Sequence, residues 1–169
     1  MHVNISIRQF QQHDFLDRVE KTLTAAGVNY ANMVLEVTEG MMIQDVEHMQ
    51  MMTEQLRGMG LRIAMDDFGT GYSSLNSMRT LPLDIIKIDR SFIRDVTSDA
   101  YAKSFIRMIT DLGHSMGRNI CVEGVETAAQ YRYCKDCKVD YIQGYYFHKP
   151  MPAADMQALL LEVERRKSG

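Results

Sequence analysis

Asp66 and Asp67 stand side by side at the end of an apolar run, Leu61-Arg62-Ile63-Ala64-Met65, and Phe68-Gly69-Thr70-Gly71 follows at once. The run reads as a buried strand, and the two glycines supply the backbone freedom of a tight loop. A carboxylate pair presented at such a strand end suits a divalent metal. Solvated turn aspartates are the competing reading, because charged residues are mostly exposed. The pattern recurs, however, in Val3-Asn4-Ile5-Ser6, Met33-Val34-Leu35-Glu36-Val37-Thr38-Glu39 and Ile85-Ile86-Lys87-Ile88-Asp89. Ile120-Cys121-Val122-Glu123-Gly124-Val125-Glu126 and Tyr141-Ile142-Gln143-Gly144 continue it. Charge embedded in an apolar strand is costly unless it is paired or bound to metal. Convergence of these groups on one polar site is the simpler reading.

The residue types define the chemistry of that site. Carboxylates and an amide oxygen suit a hard cation such as Mg²⁺ or Mn²⁺, whereas zinc would draw on His or Cys, and the five histidines are placed away from these strand ends. Adjacent aspartates can bridge two ions roughly 3.5 to 4 Å apart, the spacing used by two-metal hydrolases. Lys87, in an apolar strand, needs carboxylate partners. Its compact ammonium would then hold an attacking water or a phosphate oxygen.

Amphipathic helices separate these strands. Phe15, Leu16, Val19 and Leu23 form one apolar face ahead of Gly27, and Val46, Met49, Met52 and Leu56 form another ahead of Gly58 and Gly60. Ala102, Phe105, Ile106, Ile109, Leu112 and Met116 make the longest stripe, ending at Gly117, and Met156, Leu159, Leu160 and Val163 form the last. All four stripes are expected to pack on a core. Strand and helix thus alternate every 20 to 35 residues or so, the mark of a parallel α/β fold. No Gly-rich phosphate fingerprint follows the first strand, as a dinucleotide-binding fold would usually show. Functional groups at the ends of many strands point to a TIM-type (β/α) barrel.

In order and wording these segments resemble the EAL domain, the bacterial cyclic-di-GMP phosphodiesterase module. The resemblance rests on Val-Asn-Ile-Ser at 3–6, Leu-Glu-Val-Thr-Glu at 35–39 and Asp-Asp-Phe-Gly-Thr-Gly-Tyr-Ser-Ser-Leu at 66–75. Leu-Pro-Leu-Asp-Ile-Ile-Lys-Ile-Asp-Arg-Ser-Phe at 81–92, Glu-Gly-Val-Glu-Thr at 123–127 and Gln-Gly-Tyr-Tyr-Phe-His-Lys-Pro at 143–150 complete it. The Glu-Ala-Leu strand that names the family is absent from these 169 residues. About six parallel strands alternating with helices are expected where a closed barrel has eight and roughly 250 residues. Residues 1–169 therefore read as one N-terminally truncated domain, the C-terminal portion of an EAL domain and a fragment of a longer protein.

The resemblance implies residue roles. Asn4, Glu36 and Asp66 would hold a first metal, with the glutamate of the absent Glu-Ala-Leu strand as its remaining protein ligand, and Asp66, Asp67 and Glu123 a second, as Mg²⁺ or Mn²⁺. Lys87 would contact the nucleophilic water, and Glu123 would also serve as general base. Glu39 would steady the loop after the aspartates, with Glu126 and Gln143 at the rim of the site. The implied activity is hydrolysis of cyclic di-GMP to the linear dinucleotide pGpG, with the chain itself expected to be weakly active or inactive without the missing strand. A homodimer and upstream sensory or cyclase domains are further implications. A catalytically silent module that binds cyclic di-GMP or a protein partner is the alternative. An enolase-like lyase also combines acidic metal ligands with a barrel lysine, but it leaves the Asp-Asp-Phe-Gly-Thr-Gly loop unexplained.

Composition bounds the partners. With 46% hydrophobic residues the chain can bury a sizeable core, and no run has the length of a membrane span or the form of a signal peptide. A cytoplasmic location is expected, with no membrane contact. The formal charge of -3, with both signs interspersed, leaves no footprint for duplex nucleic acid. Cys121, Cys134 and Cys137 form no disulfide framework and are expected to stay reduced.

Overall fold

The computed structural model describes residues 1–38, 40–41, 46–71 and 75–167. Six strands are described: β1 (His2–Asn4), β2 (Val34–Thr38), β3 (Arg62–Phe68), β4 (Ile85–Ile88), β5 (Asn119–Val122) and β6 (Tyr141–Ile142). They pair in parallel in sequence order, β1-β2-β3-β4-β5-β6. Helices α1 (Ile7–Phe10), α2 (Phe15–Ala25), α3 (Val46–Gly58), α4 (Leu75–Thr80), α5 (Arg90–Arg94), α6 (Ala100–Ser115), α7 (Ala128–Asp136) and α8 (Ala153–Lys167) alternate with them. The result is a half-barrel, an incomplete TIM-type fold, as the alternation of periods predicts.

The strands are apolar on both faces, as parallel sheets covered by helices generally are. Leu35, Ile63, Ile86 and Ile120 belong to the main core with the helices. One residue away along each strand, Val34, Ala64, Ile85 and Cys121 make a separate buried cluster. By the period of two, this second set shares its face with Glu36, Asp66, Lys87 and Glu123. The polar groups therefore stand on an apolar floor inside the half-barrel.

The opposite ends of the strands are fastened by acidic side chains. Asp84 accepts from Ile63 N at 2.9 Å and from Arg57. Asp140 accepts from Ile120 N at 2.7 Å and faces His114 Nε2 at 2.8 Å. Each acid precedes a strand and satisfies the backbone of the strand before it, so the two are structural.

Two expectations need correction. The third strand does not stop at the aspartates: β3 runs through Asp66 and Asp67 to Phe68, with a register shift against β4 between Met65 and Phe68. Asp66 and Asp67 together stand opposite the single residue Lys87, and pairing with β4 resumes at Phe68. The stripe on α8 is not core. Met156, Leu160 and Val163 are exposed on it, while Leu159 is half-buried.

Candidate active site

Lys87 organises the polar face. Its Nζ lies 2.7 Å from Glu36 Oε1, 2.9 Å from Asp66 Oδ1 and 2.7 Å from Glu123 Oε1. β2, β3 and β4 supply Glu36, Asp66 and Lys87, and Glu123 follows directly on β5, so adjacent parallel strands project the four to one point. Lys87 is 3% exposed and Glu36 5%. Ions so dry persist only with their partners in place. An ammonium has three N–H donors, and here each meets a different carboxylate.

Asp67 is held in an unusual backbone conformation, with φ 56°. Its N–H donates to Asp66 Oδ1 at 3.1 Å, and its carbonyl accepts from Thr70 N at 3.2 Å and Thr70 Oγ1 at 2.9 Å. Gly69 is required by the same turn: its φ is +98°, and a Cβ there would lie 2.6 Å from the Phe92 ring. Phe92 stacks on Phe105 with ring centroids 3.9 Å apart, so two phenyl rings back the loop. The outcome is an acidic triangle. One ligand oxygen each from Asp66, Asp67 and Glu123 lies within 4.8 Å of the others. That donor set fits a hard divalent cation of the Mg²⁺ or Mn²⁺ type.

The electrostatics follow from crowding. Burial pushes the Glu123 carboxyl above its ordinary range, and the Lys87 hydrogen bond only partly offsets this. Asp67 is also raised, by burial first and then by the charges of Asp66 and Asp89. Burial alone would lower the Lys87 pKa, but hydrogen bonds to Glu123, Glu36 and Asp66 outweigh it and hold the ammonium charged well above the ordinary lysine range. Burial pushes the Cys121 thiol up to about 12, with the Glu123 charge next, so it stays protonated in the floor.

The remaining expected site residues are dispersed. Asn4 pairs in register with Glu36 across β1 and β2, which places it beside the cluster. Gln143 lines a lumen cavity of about 390 Å³ with His2, Arg62, Cys121 and His148; among the described contacts it is not joined to Lys87. Glu126 lines a separate cavity of about 580 Å³ with Asp89, Arg90 and Arg94, and its backbone N–H takes part in the capping of α7 by Gln130. Glu39 lies outside the described residues. The histidines are not all remote, as their positions in sequence suggest: His2 Nδ1 lies 2.6 Å from Glu36 Oε1. Asp89, which ends the run Ile85-Ile86-Lys87-Ile88-Asp89, is given no role by the resemblance but lies beside the cluster. Although burial alone would raise it, hydrogen bonds from Ser91 and Arg90 hold it below the ordinary range, so it keeps its charge beside Asp67.

The EAL domain family profile matches residues 1–150, nearly the whole chain. The chain belongs to the EAL family. This EAL chain is 34% identical over 160 residues to the signaling protein YkoW of Bacillus subtilis (strain 168), covering 95% of this chain and 20% of that protein. The solved PaMucR phosphodiesterase in complex with c-di-GMP superposes with a TM-score of 0.86 at 36% identity, over 92% of this chain and 63% of that one. The Klebsiella pneumoniae BlrP1 manganese/cy-diGMP complex gives a TM-score of 0.80 at 26% identity, over 85% of this chain and 37% of that one. The EAL chain thus spans about a fifth of YkoW. Among its described residues no helix is long and apolar enough to cross a membrane.

Proposed function

We propose that this EAL chain carries the catalytic face of a metal-dependent phosphodiesterase that opens cyclic di-GMP to linear pGpG. The observation that carries the reading is the convergence of Glu36, Asp66 and Glu123 on Lys87, with Asp67 completing an acidic triangle. Four carboxylates against one ammonium leave excess negative charge that would repel a phosphodiester, so cations must accompany the substrate. Asp66, Asp67 and Glu123 would hold one such ion, with Asn4, Glu36 and Asp66 on the β1 side holding another. A divalent cation held there supplies Lewis-acid polarisation of the phosphodiester and eases deprotonation of the attacking water.

The chain's own groups divide the remaining work. Lys87, held protonated, cannot accept a proton; it would place a water or a phosphate oxygen only through an N–H that a bound cation frees by engaging one of its three carboxylates. Glu123, its proton affinity raised by burial, would act as the general base. It takes the proton of the water whose oxygen attacks phosphorus, and the departing 3′ oxygen takes up a proton as the bond breaks.

The test is conversion of cyclic di-GMP by the purified chain with Mn²⁺, followed by chromatography, beside Glu123→Gln and a chelator control. From the chain without the Glu-Ala-Leu strand, weak Mn²⁺-dependent appearance of the linear dinucleotide at most is expected, with a much larger yield from a chain extended upstream to include that strand and a loss of that yield in Glu123→Gln. Saturable binding of cyclic di-GMP with no conversion by the upstream-extended chain at any Mn²⁺ concentration would replace the enzyme with a silent binding module.

A further inference from the structure

Glu36 is the most enclosed of the site carboxylates, and a carboxylate so buried needs donors for its lone pairs. Lys87 gives it one N–H and divides the other two between Asp66 and Glu123. The second donor is His2, whose Nδ1 lies 2.6 Å from Glu36 Oε1. Both contacts fall on the same oxygen. Glu36 Oε2 is outside both, on a carboxylate whose plane two donors have fixed.

The fold builds this contact deliberately at the backbone level. His2 and Asn4 are two residues apart on β1 and share its inner face by strand alternation. The register His2↔Val34 and Asn4↔Glu36 sets His2 one step below the carboxylate. Three backbone bonds lock that register: Met1 N to Asn32 O at 2.6 Å, Val34 N to Met1 O at 2.9 Å and Ile5 N to Glu36 O at 2.9 Å. The His2 side chain is 43% exposed, but its partner is only 6% exposed, so the pair is not a surface ion pair of small worth.

We propose that His2 is a positioning residue for the metal site: its Nδ1–H holds Glu36 Oε1 and leaves Oε2 for the cation that Asn4, Glu36 and Asp66 would share. This rests on the metal-dependent reading above. Hydrogen-bond partners of metal ligands commonly change metal affinity by about 10–100-fold when removed. Lys87 cannot replace His2, because its donors are committed to three carboxylates that the cation also engages.

The experiment uses the chain as it stands. Long-range ¹H–¹⁵N NMR of the metal-free protein reads the His2 tautomer, and calorimetry with Mn²⁺ reads affinity for wild type, His2→Leu and His2→Asn. The Asn amide offers an N–H near the place of Nδ1–H, and urea unfolding of each variant checks that it folds. The expected results are a His2 ring with a proton on Nδ1, Mn²⁺ affinity lowered about 10–100-fold in His2→Leu, and recovery of most of it in His2→Asn. A His2 ring protonated only on Nε2, equal affinity in His2→Leu, or no recovery in His2→Asn each overturns the positioning role while leaving the metal reading intact. A chain that shows the Nδ1–H bond but binds no Mn²⁺ overturns the metal reading, and the positioning role with it.

Discussion

A lysine that donates to three carboxylates at once has no spare N–H, so Lys87 is both the counter-charge of the site and its geometric centre. Lys87→Met keeps the length of the side chain and removes the charge, leaving Glu36, Asp66 and Glu123 facing one another in a dry site. Removal of one partner from a buried ion cluster costs about 3–5 kcal/mol. Urea unfolding in chelator is expected to show a loss of that order, with part of it regained on adding Mn²⁺; an unchanged midpoint would mean that the ammonium is not compensating these charges. Acidity gives a second test. Glu123 and Asp67 hold protons more tightly in the fold than their ordinary values of 4.5 and 3.8, so the folded state binds more protons than the unfolded one between those values and the raised ones. Their contribution to stability is therefore complete below the ordinary values and lost as pH rises through the raised ones. Asp89, shifted downward, loses its contribution only as pH falls beneath that window, and Lys87 stays charged throughout it. The urea midpoint of the metal-free chain is expected to rise as pH falls toward the ordinary carboxylate values, and the rise should be smaller in Glu123→Gln. Equal slopes in the two proteins would show that Glu123 contributes nothing to it.

At the scale of elements, the alternation of apolar and polar residues carried most of the architecture. Glu36, Lys87 and Glu123 were legible as site residues because each interrupts an apolar run at an inward position, and a buried charge demands company. His2 was less legible. Its parity with Asn4 was readable, but the partner that gives it meaning lies on β2, and register is a tertiary fact. The extension of β3 through Asp66 and Asp67 was hidden for a similar reason, since a register shift against β4 leaves no mark in a two-residue period. Asp140 belongs to the same category. It stands just before β6 and accepts from Ile120 N in β5, a partner twenty residues away that the sequence does not mark. Asp140→Ala leaves that buried donor without its acceptor, which costs about 1–3 kcal/mol. The expected outcome is a lowered thermal midpoint with Mn²⁺ affinity unchanged, because the acid fastens the end of the sheet opposite the carboxylates. A matching loss of Mn²⁺ affinity would mean that β5 transmits the defect to Glu123.

The molecule as a whole has an open sheet. Among the described residues β1 and β6 each pair on one side only, so two rows of backbone donors and acceptors face outward. Unpaired edges of this kind template pairing with another chain. Both edge strands are short, three residues in β1 and two in β6, which limits what either could gain by edge pairing alone. Side chains add to the drive. Met156, Leu160, Leu161 and Val163 are exposed on α8, and Tyr145, Tyr146 and Phe147 are exposed in the segment after β6. Contiguous apolar surface of this sort favours association. We therefore expect the purified chain to form concentration-dependent oligomers above its 19.4 kDa monomer mass. Light scattering across a micromolar concentration series is the measurement, with Leu160→Lys as the comparison. The substitution puts a charge in the middle of the exposed α8 stripe without touching the core, so it should shift the distribution toward monomer while leaving the thermal midpoint nearly unchanged. A stable wild-type monomer throughout the series would mean that the open edges and α8 are too short or too polar at their margins to hold a second chain.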